Sequence, residues 1–413
     1  MKLNDFILPL WRRIPAGLRQ KVAHSLLNVM TPSLPDVEPR EIADRSVPRI
    51  VVGFLSSSSG LGQSARLLAA ALREGGYPVF GIDLSRYFFE VADTIEHGLP
   101  DGRSITGQAH VIININAPYM PYVLWLLGRR FLRRKYVTGY WAWELPRLPE
   151  NWRRGFFCVH DIAVPSTFVA EAVRKIDAGK RVMVLPHPVA VECHASELVR
   201  HDIRSNDGTG PFTVGFMANI GSGFARKNPL ALIAAFRRAF GNDSNCRLKM
   251  LLTNAEHYHP ARQLVESAVG GAGNIEISWQ SLGRAELSRW WHGVDVYASL
   301  HRSEGFGLPL AEAMCRGLPV VATGWSGNME FMTEENSFPV NYTFVEVRDE
   351  QGKYPSCSGK WAEPDIEHAA ELLQLLHSTP ELASSMGTRA KADVLTALSG
   401  SAFICEMKHG LID

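Results

Sequence analysis

The chain has 413 residues, a formal net charge of +1 and six cysteines. This length predicts two domains with cores of their own, and the near-zero charge gives no argument for a nucleic acid partner. A chain of this size does not depend on disulfides, so we expect reduced thiols in a cytoplasmic protein without a zinc site. No apolar run reaches the length that crosses a bilayer.

Residues 1–48 form a predicted extension, which is basic and apolar at first and rich in proline from Thr31 to Arg40. Its first part lacks the long apolar core and the cleavage site of a secretory signal. That part either docks on the body of the protein or lies on a membrane surface. The proline-rich part is predicted to be a linker.

A first domain is predicted over residues 49–195, where strands alternate with helices. The strands are expected at 49–55, 77–82, 110–115, 135–140, 161–165 and 182–185, and the helices at 63–74, at 121–131 and from Ser166 onward. This order is typical of a doubly wound parallel sheet, which binds ligands at the carboxyl ends of its strands. A polar linker over 196–211 follows.

A second domain of the same kind is predicted over residues 212–385. Its strands are expected at 212–216, 248–252, 275–279, 294–299 and 319–323, and its helices at 229–240, 261–269 and 285–291. Two helical patterns, 365–377 and 380–409, end the chain. Two such sheets joined by a linker predict a deep cleft between the domains.

Two glutamates flank a turn from strand to helix in the second domain. Glu304 precedes Gly305 and Gly307, and Glu312 lies inside the following helix, which Pro309 opens. The glycines free the backbone to turn, and the helix begins with unpaired N–H groups that favour an anion. Carboxylates accept hydrogen bonds from sugar hydroxyls. The pattern therefore favours a ligand site over two solvated side chains.

Arg226 and Lys227 follow a glycine-rich turn and precede a helix that Asn228 is expected to cap. Cations at this point oppose the helix dipole, so an anion bound between them would explain their placement. A diphosphate fits, because arginine offers a planar fork and lysine a point charge. The alternative is a basic surface turn. The sequence contains no Asp-x-Asp that could hold a divalent metal beside a diphosphate.

Three stretches together resemble the retaining glycosyltransferases of the GT-B fold, of the glycosyltransferase family 4 type. They are Glu304–Glu312 with GFGLPLAEAM, Phe224–Pro229 and Gly139–Pro146. The resemblance runs from about Arg49 to the end of the chain. It implies an α/β protein with two Rossmann-like domains facing across a cleft and a C-terminal helix, predicted at 386–413, that returns to the first domain. It also implies departure of a nucleoside diphosphate without a metal or cofactor.

The predicted roles follow from this resemblance and from the residue types. Arg226 and Lys227 hold the departing diphosphate, Glu304 grips the donor sugar, and Glu312 binds the ribose hydroxyls. The rest of the predicted donor-binding set consists of Gly60, Gly62, Gly305, Phe306, Gly307 and Leu308. The predicted reaction moves a hexose such as mannose from a nucleoside-diphosphate sugar to a saccharide or lipid-linked saccharide, in the synthesis of a surface polysaccharide.

On the acceptor side, Tyr140, Trp141 and Glu144 follow a predicted strand. The two rings either form a platform for a sugar or pack the strand end, and Glu144 is a hydrogen-bond acceptor or a base. Many relatives carry a histidine near this position, which this chain lacks. The alternative histidines are His110, His160, His187 and His301.

Other interpretations remain open at this point. Gly60 and Gly62, with Ala65 and with Asp83 at the end of the next strand, loosely match a dinucleotide fingerprint, as in an NAD(P)-dependent oxidoreductase. A non-catalytic nucleotide-sugar-binding protein and an epimerase are further candidates. The basic segment Arg129–Lys135 is either a solvated helix end or a contact with anionic lipid headgroups, which would place the protein peripherally at the inner face of a membrane.

Overall fold

The computed structural model describes residues 31–88, 95–176, 178–190, 210–354 and 359–412. The first part of the predicted extension, residues 1–30, lies outside the described residues. So do residues 191–195 of the predicted first domain and residues 196–209 of the predicted linker. Within the described ranges the chain forms two six-stranded sheets and one two-stranded sheet.

The first sheet is parallel and has the strand order β2-β1-β3-β4-β5-β6. Its strands are β1 Arg49–Gly53, β2 Val79–Asp83, β3 Ala109–Ile113, β4 Lys135–Tyr140, β5 Asp161–Val164 and β6 Val182–Val184. Its helices are α1 Gly60–Glu74, α2 Met120–Leu132 and α3 Thr167–Arg174, and a 3-10 helix spans Glu150–Cys158. Because helices lie on both faces, β1, β3, β4 and β5 are buried along their whole length. The sequence analysis did not predict this 3-10 helix.

The second sheet is also parallel, with the order β12-β11-β10-β7-β8-β9. Its strands are β7 Phe212–Asn219, β8 Cys246–Thr253, β9 Ile275–Ser278, β10 Val296–Ser299, β11 Val320–Thr323 and β12 Phe338–Val340. The helices around it are α4 Phe224–Lys227, α5 Pro229–Phe240, α6 Pro260–Val269, α7 Arg284–His292, α8 Leu308–Cys315 and α9 Ile366–Ser378. The prediction of two doubly wound α/β sheets is confirmed.

A β-hairpin that the sequence analysis did not predict links the two halves. Strands β13 Tyr342–Glu346 and β14 Lys360–Pro364 pair antiparallel. Val347, Tyr354 and Trp361, from the hairpin and the segment between its strands, are buried in the hydrophobic core of the first sheet. The second half of the chain therefore contributes core residues to the first half.

The last helix of the chain returns to the first domain, as predicted. The predicted single pattern over 380–409 is two helices, α10 Pro380–Ala397 and α11 Gly400–Ile412. Helix α11 packs on α1 so closely that a Cβ at Gly75 would lie 2.8 Å from Cγ1 of Ile404. The predicted boundary at residue 385 falls within α10, and the predicted domain limits remain predictions.

The proline-rich segment predicted as a linker is packed against the first domain. Val37 and Ile42 are buried, and Nε2 of His160 lies 2.9 Å from the carbonyl oxygen of Pro35. Because these contacts fix its path, the segment is part of the domain surface. No helix in the described ranges combines the length and the hydropathy needed to cross a membrane.

Candidate functional site

Arg226, Lys227 and Glu304 come together as a buried cluster of charges. Lys227 Nζ lies 2.5 Å from Glu304 Oε1, and Arg226 Nη1 lies 3.0 Å from Glu304 Oε2. The side chains of Arg226 and Glu304 are only 2% and 9% exposed. The sequence analysis placed these three residues in one cleft, and the structure adds that the carboxylate bridges the two cations.

Backbone geometry around the basic pair orients its side chains. The chain turns at Gly223, with φ 119°, forms the short helix α4, and turns again at Asn228, with φ 51°. Asn228 stands at the start of α5 but makes no side-chain cap. The guanidinium of Arg226 donates to the carbonyl oxygens of Ser303 (2.7 Å) and Ser222 (3.1 Å). Asn228 is the N-cap residue of α5, as predicted, but its left-handed backbone rather than a side-chain hydrogen bond forms the junction.

The cluster shifts the pKa of each member. Burial alone would raise the pKa of Glu304, but the charges of Lys227 and Arg226 outweigh burial and hold this pKa at about 2. Burial lowers the pKa of Lys227, and the neighbouring guanidinium of Arg226 lowers it further, against the opposing pull of Glu304. Glu304 therefore stays ionised at any physiological pH and accepts hydrogen bonds.

Gly305 lies where the second domain meets the first. A Cβ at this position would lie 2.8 Å from the carbonyl oxygen of Trp143, so only glycine fits without movement. Ser166, the N-cap of α3, donates through Oγ to the carbonyl oxygen of Gly305 at 2.7 Å. The loop after β10 is therefore held against the ends of β4 and β5, at the carboxyl edge of the first sheet.

The next residues of this loop have structural roles. Gly307 has φ 94°, in the region that favours glycine, and leads into α8, which begins at Leu308. Phe306 is buried, and its ring packs on His187 (centroids 4.8 Å apart) and on Phe331 (4.9 Å). The side chain of Phe306 thus contributes to packing between the domains. That Phe306 binds the donor stays a prediction, and only its backbone is available for such a contact.

Glu312 is half-buried on α8, about one turn after the loop. Burial raises the pKa of Tyr297, and the negative charges of Glu304 and Glu312 raise it further. Both carboxylates therefore act on the same phenol, whose hydroxyl lies 3.3 Å from the backbone nitrogen of Met217 in β7. The role of Glu312 at the ribose stays a prediction.

The glycines of the first domain open a helix rather than lying in a loop before it. Helix α1 begins at Gly60, and Ser59 caps it by accepting from the N–H of Gly62 at 3.3 Å. A Cβ at Gly62 would lie 2.3 Å from the carbonyl oxygen of Ser57, whereas a Cβ at Gly60 would meet open space. The bare helix start at Gly60 is the part of this motif that a ligand can approach.

Tyr140 and Trp141 are buried, at 1% and 0% exposed, and cannot offer a ring face to a sugar. Tyr140 donates through its hydroxyl to the carbonyl oxygen of Leu185 at 2.6 Å, and Trp141 packs against Phe156. The platform interpretation is therefore wrong. A strand buried on both faces sends its aromatic side chains into the core.

Glu144, the third predicted acceptor-side residue, does reach the site. Its Oε1 lies 4.0 Å from Nη2 of Arg226, and its backbone oxygen accepts a hydrogen bond from the Ser303 hydroxyl. Glu144 is partly exposed, unlike Glu304. The first domain thus supplies one carboxylate to the charge cluster of the second.

Two site residues were not found by sequence reasoning. Tyr354 places its ring 5.9 Å from the Arg226 guanidinium carbon, and Gln351 accepts from the N–H of Phe224 at 2.5 Å. Both lie in the segment between strands β13 and β14, which brings them against the helix that carries Arg226. No local motif marks either residue.

The predicted alternative histidines and the dinucleotide fingerprint also have structural explanations. His110 is buried in β3, and burial holds its pKa well below the usual value. The carboxylate of Asp83, which would bind a ribose in an oxidoreductase, instead accepts from the Ser85 hydroxyl at 2.6 Å and from the Ser85 N–H at 3.1 Å. Among the described residues, no group of three or more His, Cys, Asp or Glu side chains is arranged to hold a metal ion.

The structure combines two parallel α/β sheets, a buried charge cluster between them and a C-terminal helix that returns to the first domain. These are the features of the GT-B fold, and comparisons with known proteins agree. Residues 211–352 match a family model described as "Glycosyl transferases group 1". That range includes Arg226, Lys227, Glu304 and Glu312. The match supports a glycosyltransferase. No curated protein sequence matches the chain significantly.

Solved structures similar to this chain share its fold over most of their length. HepE of Anabaena, solved with UDP and glucose, is 13% identical with a TM-score of 0.60, over 88% of this chain and 98% of HepE. The pneumococcal O-GlcNAc transferase GtfA, solved with UDP and GlcNAc, is 12% identical with a TM-score of 0.59, over 89% and 99%. Sucrose-phosphate synthase of Thermosynechococcus elongatus is 16% identical with a TM-score of 0.59, over 88% and 98%. The protein has the GT-B fold.

Proposed function

We propose that this protein is a retaining, metal-independent glycosyltransferase of the family 4 type that uses a nucleoside-diphosphate sugar. The observation that carries the proposal is the buried cluster of Arg226, Lys227 and Glu304 at the junction of two GT-B domains. The family match over residues 211–352 includes all three. HepE and GtfA, which share the fold, were solved with UDP and a sugar, which supports a nucleotide sugar as the donor.

In the proposed reaction the bond between the anomeric carbon of the donor and its phosphate oxygen breaks, and the acceptor oxygen bonds to the same face of that carbon. The proton of the acceptor hydroxyl passes to the departing diphosphate. As the bond to phosphate breaks, negative charge grows on the diphosphate, and Arg226 and Lys227 stabilise it from fixed positions. Because Glu304 holds both cations in place, little reorganisation is needed when the donor binds. Glu304 stays ionised, accepts a hydrogen bond from a donor hydroxyl and steadies positive charge on the sugar ring.

The remaining assignments complete the donor and acceptor sites. Glu312 binds the ribose hydroxyls, and the helix start at Gly60 approaches the donor from the first domain. Glu144, which is partly exposed beside Arg226, accepts a hydrogen bond from the acceptor hydroxyl. We propose a hexose such as mannose as the transferred sugar, and a saccharide or lipid-linked saccharide of a surface polysaccharide as the acceptor, at the cytoplasmic face of a membrane.

The test is release of nucleoside diphosphate by the purified protein from a panel of GDP- and UDP-sugars, with and without glycan and lipid-linked acceptors. We expect one donor to be consumed only when an acceptor is present, and Lys227→Ala to reduce that rate at least a hundredfold. Donor binding without turnover on any acceptor would favour a nucleotide-sugar sensor. Turnover of the donor alone to another sugar would favour an epimerase, and full activity of Lys227→Ala would refute the assignment.

A further inference from the structure

One face of the first domain exposes aromatic and arginine side chains side by side. It is formed by α2, the residues flanking α2 and the 3-10 helix Glu150–Cys158. This 3-10 helix packs closely on the residues before α2, because a Cβ at Gly155 would lie 2.4 Å from the carbonyl oxygen of Ala117. We call it the aromatic–arginine surface. Its exposed residues include Tyr119, Trp125, Arg129, Arg130, Arg133, Arg134, Glu150, Arg153, Arg154 and Phe157.

The aromatic part of this surface is continuous and open to solvent. Tyr122 stacks on Trp125 with centroids 5.8 Å apart, and Phe88 contacts both Tyr122 and Tyr119 at 5.4 Å. Trp125 is 41% exposed, and Phe157 on the neighbouring 3-10 helix is 75% exposed. Amphipathic rings and an exposed phenylalanine suit the boundary between water and lipid headgroups.

On helix α2 and the residues that follow it the charged side chains are all arginines, whereas on the 3-10 helix Glu150 pairs with Arg153 at 2.8 Å. Helix α2 kinks at Gly128 (φ 77°), and Arg129, Arg130, Arg133 and Arg134 follow the kink. None of these four forms an ion pair with another described residue. The sequence from residue 102 to residue 143 contains no Asp or Glu. Lys135, which the sequence analysis counted with this cluster, is instead buried.

Some acidic groups lie near one end of the surface. Asp36 and Glu41 line a groove together with Arg133 and Arg134. Arg129 and Arg130 lie outside that groove and keep an uncompensated charge. The first thirty residues of the chain carry five Lys or Arg and one Asp, so like charge opposes their binding to the arginines. An anionic partner attracts both the arginines of the surface and this basic segment.

We infer that the aromatic–arginine surface docks the protein on a bilayer containing anionic lipid. Guanidinium groups bind the lipid phosphates, and the exposed rings enter the headgroup boundary. Tyr119 follows β3 at the carboxyl edge of the first sheet, the edge where the candidate site lies. The Tyr119 end of the docked face thus lies at the edge of the candidate site, whereas the arginines precede β4 at the opposite edge of the sheet. A lipid-linked acceptor would approach the site from the Tyr119 end. The use of that acceptor rests on the proposed function, whereas the docking itself does not.

The test is sedimentation of the full chain with vesicles of phosphatidylcholine alone and of phosphatidylcholine with phosphatidylglycerol, without nucleotide or acceptor. We expect binding only to the anionic vesicles and release at high salt, because salt screens the charges. Arg129→Gln/Arg130→Gln should weaken binding about tenfold, and Phe157→Ser should weaken it severalfold.

Matched controls on the second domain are Arg262→Gln/Arg289→Gln and Phe344→Ser, which remove equally exposed arginines and an exposed phenylalanine. These should bind vesicles like the wild type, and circular dichroism verifies the fold of every variant. The inference would be overturned if the protein bound no vesicles, bound neutral vesicles equally well, or bound only a soluble polyanion. It would also be overturned if the control variants lost as much vesicle binding as the test variants. Vesicle binding without any turnover would instead leave it intact and count against the proposed function.

Discussion

The ammonium nitrogen of Lys227 lies 2.5 Å from Oε1 of Glu304, although 77 residues separate the two in the sequence. The second carboxylate oxygen lies 3.0 Å from the guanidinium of Arg226. One buried carboxylate therefore holds two cations where the two domains meet. Removal of any one partner leaves the others buried without compensation, which is costly even where the intact cluster contributes little net stability.

Glu304→Gln is expected to reduce turnover by about a hundredfold or more, because the amide neither fixes the two cations nor steadies positive charge on the sugar. It should also lower the free energy of unfolding by roughly 3–5 kcal/mol, as for other broken buried pairs. Steady-state kinetics and urea unfolding measure the two effects. The control is Glu363→Gln, which removes a carboxylate from the more exposed pair with Arg302. Wild-type turnover in Glu304→Gln would contradict the role of this residue.

Acid should weaken the cluster in a defined pH range. The pKa of Glu304 is lowered from 4.5 to about 2, so its stabilising contribution is complete above pH 4.5 and is lost as the pH falls toward 2. By pH 3.5 the loss should be roughly 1 kcal/mol. The stability gap between wild type and Glu304→Gln, measured by urea unfolding at pH 6 and pH 3.5, should shrink by that amount. An unchanged gap would show that Glu304 keeps an ordinary pKa.

Gly305→Ala is expected to strain the contact between the domains. The added Cβ would lie 2.8 Å from the backbone oxygen of Trp143, which cannot move as a flexible side chain would. We expect a loss of about 1–3 kcal/mol in stability and a clear fall in turnover. Gly273→Ala is the matched control, since a Cβ there meets nothing within 4 Å. Equal melting temperatures and rates for both variants would mean that the domains do not close in this way in solution.

Arg226→Lys should behave as a severe change although it keeps the charge. The guanidinium reaches Glu304 and the carbonyl oxygens of Ser303 and Ser222 at the same time, and an ammonium group cannot reproduce this planar arrangement. We expect turnover to fall at least tenfold. Arg238→Lys, in an exposed pair with Glu367, serves as the control and should be neutral. A fully active Arg226→Lys would mean that only the charge matters at this position.

Much of the fold followed from local sequence patterns. The predicted bounds of β4 and α5 agree with the structure, because an uninterrupted buried strand and a proline-opened apolar helix are strong local signals. The sequence could not show whether the side chains of Tyr140 and Trp141 face the core or a ligand. In a strand buried on both faces, the alternation of side chains along the strand does not distinguish these two environments. Tyr354 was missed for another reason. It lies in the segment between strands β13 and β14, and no local sequence motif predicts that this segment contacts Arg226.

The residues of the site could be predicted from the sequence better than the contacts between them. Residue types and glycine positions placed Arg226, Lys227 and Glu304 near one cleft. That Glu304 bridges the two cations depends on how the loop after β10 lies over α4, which is a tertiary contact. Asn228 illustrates the same limit, because its left-handed backbone, rather than a side-chain cap, joins α4 to α5.

Calorimetric titration of nucleoside diphosphates tests most directly whether Lys227 and Arg226 hold the diphosphate of the donor. UDP and GDP are titrated into wild type and Lys227→Ala, and uridine and guanosine serve as ligands without phosphate. We expect the preferred diphosphate to bind Lys227→Ala at least ten times more weakly than wild type, and its nucleoside to bind both proteins equally. Equal affinity of the diphosphate for the two proteins would contradict the assignment of this basic pair.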